Sequence, residues 1–498
     1  MNSDVAPSSS TVSPSTVPSS TVPSPTVPSP TVSSSPSSPT QSELTPFLRA
    51  FHSLAEAAAR VSAQDETSLV DALATHLGVR PEGIAVVAKE VVPHRFADYD
   101  VALEHLASPD GATLGLGGGD ARHHQSLADM VSNPWARIAV GQVDWNNLPI
   151  NATQTRRVMA LGIRLFAYEG QQVAVLQHRT SRMHGNGTGV IEVMCPDADA
   201  ANRLLDELTG LATQLSVLRG NVVSLELVGY EAEGDGYRLV ARPEVPAESV
   251  ILPDGVLDRI SRHVVGIARH AETLRQRGQH LKRGVLLYGP PGTGKTHTVR
   301  HLIGATPEHT VVLLSGRTLG LIGAATAIAR HLQPSIVVLE DCDLVAMDRG
   351  LGDSPQPLLF EVLDALDGLD SDADVAFLLT TNRAEVLEEA LAQRPGRVDL
   401  GVEIPLPDEP GRRRLLTLYA RDLDFSSATL DAVAARTDAR TASFFKELIR
   451  RAVLDAADAG SDPGDEHLLT ALEELTDDQD RLARSLFGAD PGAVLLES

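Results

Sequence analysis

The 498-residue sequence predicts an α/β protein: a parallel sheet carrying a phosphate-binding loop, closed by a helical lid and preceded by a second α/β domain. Three observations predict it. The run Gly289-Pro290-Pro291-Gly292-Thr293-Gly294-Lys295-Thr296 fits G-x-x-x-x-G-K-[ST] and sits between an apolar strand at 284–288 and a helix at 296–303. Three further apolar runs, 310–314, 334–339 and 375–381, read as buried parallel strands, and the second leads straight into Glu340-Asp341. Beyond Pro407 the pattern turns helical, at 411–423, 429–436 and 442–459.

In the loop, the glycines let the backbone aim its N–H groups at an anion, and the start of the helix adds its partial positive charge at the same place. Lys295 is placed to reach the β- and γ-phosphates of a nucleotide, and Thr296 to hold Mg²⁺ through its hydroxyl. The chain uses lysine at four positions, Lys89, Lys282, Lys295 and Lys446, and one of them stands where a phosphate needs it. Acids at the carboxyl end of a buried strand lie beside the crevice where an α/β sheet binds its ligand. That suits Glu340 to Mg²⁺ and Asp341 to orienting an attacking water. Asn382, at the end of the strand 375–381, is a neutral amide able to bond a γ-phosphate or that water. The run Arg394-Pro395-Gly396-Arg397-Val398-Asp399 follows a predicted helix at 385–392; alone, its two arginines read as a solvated charge cluster.

Composition narrows the function. A formal net charge of −24 argues against a general grip on nucleic acid, which needs Lys and Arg against phosphates. Cys195 and Cys342 are the only cysteines, too few for a disulfide framework, and a reducing cytoplasm fits them. The N-terminus has neither the basic start nor the apolar core of a signal peptide. The most apolar stretch, 311–329, is interrupted by Arg317 and several Gly, Ser and Thr, so no membrane span is expected.

Six segments follow from the pattern. Residues 1–42, almost entirely Ser, Thr, Pro and Val, read as a disordered tail with too little apolar bulk to offset its ordering entropy. Residues 43–110 read as a small helical module, opened by Thr45-Pro46 and an apolar face of Phe47, Phe51, Leu54, Ala58 and Val61. Residues 111–133, with Gly115, Gly117, Gly118 and Gly119 and the pair His123-His124, read as a flexible linker. Residues 134–245 read as an α/β recognition domain, with strands near 173–176, 190–194 and 222–228 and a helix over 200–218; His178, His184 and Cys195 within it read as structural. Residues 246–406 hold the phosphate loop, and 407–498 the lid, whose stretch between Arg451 and Arg481 lacks Lys and Arg and reads as a solvated acidic surface.

Taken together, the Pro290-Pro291 phosphate loop, the acidic pair after a strand, the Thr380-Thr381-Asn382 strand end and Arg-Pro-Gly-Arg-x-Asp resemble the AAA+ ATPases, P-loop NTPases, and within them the AAA clade proper. The resemblance covers 251–459. It implies that Lys295 and Thr296 bind phosphate and Mg²⁺, that Glu340 and Asp341 are the Walker B pair and that Asn382 is sensor 1. It implies too that Arg394 and Arg397 are arginine fingers acting on the nucleotide of a neighbouring subunit, and so a homo-oligomeric ring, usually a hexamer. Two departures stand out. The family's usual order is Asp then Glu, the reverse of Glu340-Asp341; and in the loop after the second strand, where threading members resemble one another in carrying an aromatic, Leu321 stands instead.

The function expected is ATP hydrolysis coupled to remodelling a protein partner chosen by the N-terminal domain. The alternatives are a nucleic-acid motor or loader, disfavoured by the charge, and a nucleotide-gated scaffold with weak hydrolysis.

Overall fold

A computed structural model of the chain describes residues 67–107, 111–132, 138–179, 188–227, 236–342, 372–383 and 398–487, with isolated positions at 46, 49–51 and 53. The chain divides into two units, Met1–Arg60 and Val61–Ser498. In the first, the isolated positions are helical; the predicted tail and most of the helix from Thr45 lie outside the described residues. Everything below concerns the second unit.

Its amino-terminal half is a seven-stranded sheet of β1 (Val86–Val91), β2 (Ala112–Leu116), β3 (Val140–Gly141), β4 (Asp144–Pro149), β5 (Thr155–Tyr168), β6 (Gln171–Arg179) and β7 (Gly189–Met194), ordered β1-β7-β6-β5-β2-β3 with β4 also on β5. Helices cover both faces. With α1 at Leu69–Leu77 and α2 at Phe96–Leu106, one face carries α2 packed with α4 (Ala198–Gln214), burying Leu103, Leu204 and Leu208 against Val175, Ile191 and Val193. On the other, α1 and α3 (Leu127–Ser132) bury Leu69, Leu73 and Met130 against Leu161, Ile163 and Leu176. Burial on both faces is why the strands read as continuous apolar runs rather than alternating ones.

The predicted boundaries at 110 and 133 are corrected by this sheet. β1, assigned to a separate helical module, pairs antiparallel with β7, Val86 opposite Met194. The supposed linker 111–133 contains β2 and α3, and its glycines serve close approach rather than flexibility: a Cβ on Gly115 would lie 1.9 Å from the carbonyl carbon of Gln142. The boundary at 245 moves as well, because β8 (Val222–Leu225) and β9 (Tyr237–Val240) belong to the next sheet.

That second sheet runs β14-β10-β13-β12-β11-β8-β9, where β10 is Arg283–Tyr288, β11 Thr310–Ser315, β12 Ser335–Glu340, β13 Val375–Thr381 and β14 Leu400–Glu403. Its pairings are parallel except the β8–β9 hairpin, whose β8 lies parallel to β11. On one face α5 (Lys295–Gly304) buries Val299, Leu302 and Ile303, and on the other α6 (Ile322–His331) buries Ile322, Ala325 and Ile328. Residues 256–276 form a broken helical stretch with a π turn at Arg262–Gly266.

The junction between the two sheets is built from hydrogen bonds. Asp98 on α2 is buried, and its carboxylate accepts from Ser216 Oγ and Val217 N, each at 2.9 Å, and from Arg95. Burial pushes this carboxyl above the usual range, against the pull of Arg95 and of those two donors. Asn221 Nδ2 donates to the carbonyls of Ile150 (2.9 Å) and Val217 (2.8 Å), Gly220 N to Thr310 Oγ1 (3.1 Å), and Arg219 Nη1 to the carbonyl of Gln333 (2.7 Å).

A polar cluster lies at the amino ends of the parallel strands, away from the phosphate loop. Arg283 Nη1 donates to Asp374 Oδ1 at 2.7 Å, and Arg283 is 1% exposed. His309 is buried nearby with no hydrogen-bond partner at either ring nitrogen among the described residues, and burial pushes it down to about 4. His94, also pushed by burial to about 4, behaves alike. Since a folded-state value below the ordinary 6.5 means the unfolded chain takes up protons first, stability is full above pH 6.5 and falls as pH drops toward 4. For His309 the expected loss by pH 4.5 is on the order of 1–2 kcal/mol after allowance for solvent screening. Urea titrations from pH 7 to 4.5 check it: His309→Gln should flatten the slope, and an unchanged slope contradicts the assignment.

The lid comprises α7 (Glu409–Tyr419), α8 (Ser427–Arg436), α9 (Ala442–Ala459) and α10 (Asp465–Phe487) around Leu416, Val433, Phe445 and Leu448. The first three overlap the stretches 411–423, 429–436 and 442–459, with α7 ending four residues short of 423. The acidic stretch expected as surface is instead largely α10, which buries Leu468, Ala471, Leu472 and Leu475 in that core. Among the described residues no helix is long and apolar enough to cross a membrane.

Candidate nucleotide site

β10 ends at Tyr288 and α5 begins at Lys295, so the intervening loop lies at the carboxyl edge of the sheet, beside the ends of β12 and β13. Gly289, Gly292 and Gly294 all take positive φ, the backbone that lets successive N–H groups converge. Gly292 also has no room for a side chain, since a Cβ would lie 2.4 Å from Ser443 Oγ at the start of α9. Ser443 N donates to the carbonyl of Gly292 at 3.2 Å, so the lid rests directly on the loop. Thr293 Oγ1 closes the turn by donating to the carbonyl of Pro290 at 2.9 Å, while Pro291 is exposed.

Lys295 is 6% exposed, and its ammonium is held inside the loop. Nζ donates to the carbonyls of Gly289 (2.8 Å) and Pro290 (2.9 Å) and to Asn382 Oδ1 (2.8 Å). The strand-end amide singled out from the sequence therefore touches the loop lysine directly. Glu340, the last residue of β12, accepts a hydrogen bond from Thr296. Burial and the neighbouring Asp341 push its carboxyl above the usual range, while Arg300 and Thr296 pull it back. A hydroxyl and a carboxylate brought together at the start of α5 are the hard oxygen donors that Mg²⁺ takes, so these residues fit that ion. Asp341 follows in a left-handed conformation, φ +52°.

The remaining sequence-derived residues divide. Arg394 and Arg397, with the helix at 385–392, lie outside the described residues. Leu321, which stands where an aromatic was expected by resemblance, is partly buried and packs on the sheet core; Arg317 is an exposed large side chain of the same loop. His178 is buried against Glu192, Nε2 to Oε1 3.4 Å.

Sequence reasoning missed a narrow crevice beside the loop, lined by Ile251, Leu252, Thr293, Asp408, Leu415 and Ala442. Its walls come from the entry segment, the loop and the lid, distant in sequence. The one local signal was the Pro-rich run 405–410, whose significance depends on where the lid folds back.

Residues 285–406 match the model of the family described as "ATPase family associated with various cellular activities (AAA)". Over 277 residues the chain is 32% identical to the ATP-dependent zinc metalloprotease FtsH 3 of Sphaerobacter thermophilus, covering 53% of this chain and 55% of that protein. It is 28% identical over 275 residues to the proteasome-activating nucleotidase of Methanoculleus marisnigri, covering 52% and 66%, and 30% identical over 213 residues to the 26S proteasome regulatory subunit 6A of Encephalitozoon cuniculi, covering 40% and 53%. The chain thus spans about half the length of the curated relatives it matches. A phosphate loop whose lysine meets a strand-end amide, a carboxylate bonded to the loop threonine and this match agree: residues 285–406 are similar to the ATPase domain of the AAA family.

Proposed function

We propose that this chain binds ATP with Mg²⁺, hydrolyses the γ-phosphate and uses the cycle to remodel a protein partner. The observation that carries the reading is the convergence of Lys295, Asn382, Thr296 and Glu340 on one loop mouth. Lys295 exchanges its bonds to the Gly289 and Pro290 carbonyls for phosphate oxygens, and the loop N–H groups from Gly292 to Thr296 cradle the same anion. Mg²⁺, when bound, supplies charge neutralisation at the phosphates; Thr296 and Glu340 hold it. Asp341 orients the attacking water and Asn382 bonds it or the γ-phosphate.

Arg394 and Arg397 act on a neighbouring copy's nucleotide, which makes a homo-oligomeric ring, a hexamer by family analogy, part of the proposal. The N-terminal sheet selects the protein client, in the cytoplasm. Two of the relatives quoted are named for the proteasome and one for proteolysis; this chain has no H-E-x-x-H run, so peptide-bond cleavage is not proposed for it. The inverted acids favour one second reading, a nucleotide-gated scaffold with slow turnover.

Phosphate release decides between them. The purified protein should turn over ATP, and Asp341→Asn should cut kcat by roughly 10²-fold or more while leaving nucleotide affinity intact. Turnover in that variant equal to wild type removes Asp341 from the mechanism; no turnover in the wild type with tight ATP binding favours the scaffold.

A further inference from the structure

We infer that Thr380 is a positioning residue that sets the backbone of Asp341, and that this is why the shorter acid stands second in the pair; the inference rests on the hydrolytic reading above. β12 ends at Glu340, so the N–H groups of the next two residues leave the strand ladder. Both are caught by one residue of the adjacent strand β13. Asp341 N donates to Thr380 Oγ1 at 3.0 Å, and Cys342 N to the Thr380 carbonyl at 3.0 Å. Thr380 is fully buried, one of two consecutive buried hydroxyl residues ending a strand that is otherwise apolar, and Asn382 follows two positions later.

Between these two bonds the chain turns left-handed at Asp341, φ +52°, one of three non-glycine residues with positive φ among the described residues. That region is open to Asp and Asn, whose short polar side chains bond locally, and closed in proportion to most longer side chains. Glutamate enters this region too, at Glu169 (φ +47°) in the β5–β6 turn, but its longer side chain bonds the local backbone less readily than that of aspartate. The left-handed turn re-aims the Cα–Cβ bond relative to a residue continuing the strand, so backbone geometry and side-chain length are set together. Thr380 holds the turn from a position where its own side chain reaches no phosphate-loop group that the structure records.

Steady-state turnover and ATP-binding titrations on the full chain test this. Thr380→Val, which keeps the shape and removes the acceptor, should lower kcat between roughly tenfold and a hundredfold with ATP affinity unchanged, and Thr380→Ser should restore it. Asp341→Glu, which gives the family's usual acid at the second place, should also lower kcat by roughly tenfold or more. An active wild type with a fully active Thr380→Val, or an Asp341→Glu variant as fast as wild type, overturns the inference alone. Unchanged nucleotide affinity in each variant shows that the site has folded; loss of affinity in Thr380→Val that serine does not restore makes Thr380 a packing residue and overturns it too. A wild type without turnover overturns the hydrolytic reading together with this one.

Discussion

Lys295→Ala is expected to weaken ATP binding by roughly a hundredfold. A hydrogen bond to a charged group contributes about 1.5–3 kcal/mol, and the Nζ of Lys295 sits inside the loop, bonded to the Gly289 carbonyl. The change acts twice. It removes the cation that phosphate oxygens would meet, and it leaves the Gly289 and Pro290 carbonyls and Asn382 Oδ1 without the donor that draws them together. Turnover at saturating ATP should fall as well, because Asn382 loses the bond that fixes its amide. Equilibrium titration with a fluorescent ATP analogue measures the first effect, and thermal unfolding without nucleotide separates it from loss of fold. Unchanged affinity in a folded variant would remove the loop from nucleotide binding, and the proposed function with it.

The largest effect on stability is expected at the other end of the sheet. Asp374→Ala should cost about 3–5 kcal/mol, because Arg283 would keep its charge at 1% exposure with its carboxylate partner gone. Two backbone carbonyls, of Val264 and Leu281, also accept from that guanidinium, but neither neutralises it. Burial already pushes Arg283 below its ordinary value, against the pull of Asp374, so removing Asp374 leaves only the unfavourable influence. The double variant Arg283→Met, Asp374→Ala should recover most of the loss, since an apolar side chain of similar length needs no counter-charge. Urea unfolding at constant pH measures both. A single variant within about 1 kcal/mol of wild type, the range of an exposed pair, would mean that the ion pair is not held away from water.

The motor half was legible because its signals are local. The loop pattern, the runs ending at Glu340 and Thr381 and the helix over 442–459 each announce themselves within a dozen residues, and the structure sets Lys295 against Asn382 and Thr296 against Glu340. The amino-terminal sheet was not legible, because its defining contacts are remote: β1 pairs with β7 across about a hundred residues, and nothing near Val86 points to Met194. Glycines misled in the same region, since sequence cannot distinguish a Gly needed for flexibility from one needed for a neighbouring backbone, as at Gly115. In α10 the run of acids hid an apolar stripe at Leu468, Leu472 and Leu475. Thr380 escaped notice because its contribution is a single acceptor atom, which has meaning only once two strands lie side by side.

The β8–β9 hairpin changes what kind of appendage the amino-terminal half is. A domain tethered by a linker can swing while the engine cycles beneath it. Here the tether is itself a pair of rungs in the engine's sheet, beside the strand β11 whose far end opens into the loop at Gly316–Leu321. The two halves are thereby stitched by ladder bonds and by the Asp98 and Asn221 contacts, not by a bare stretch of chain.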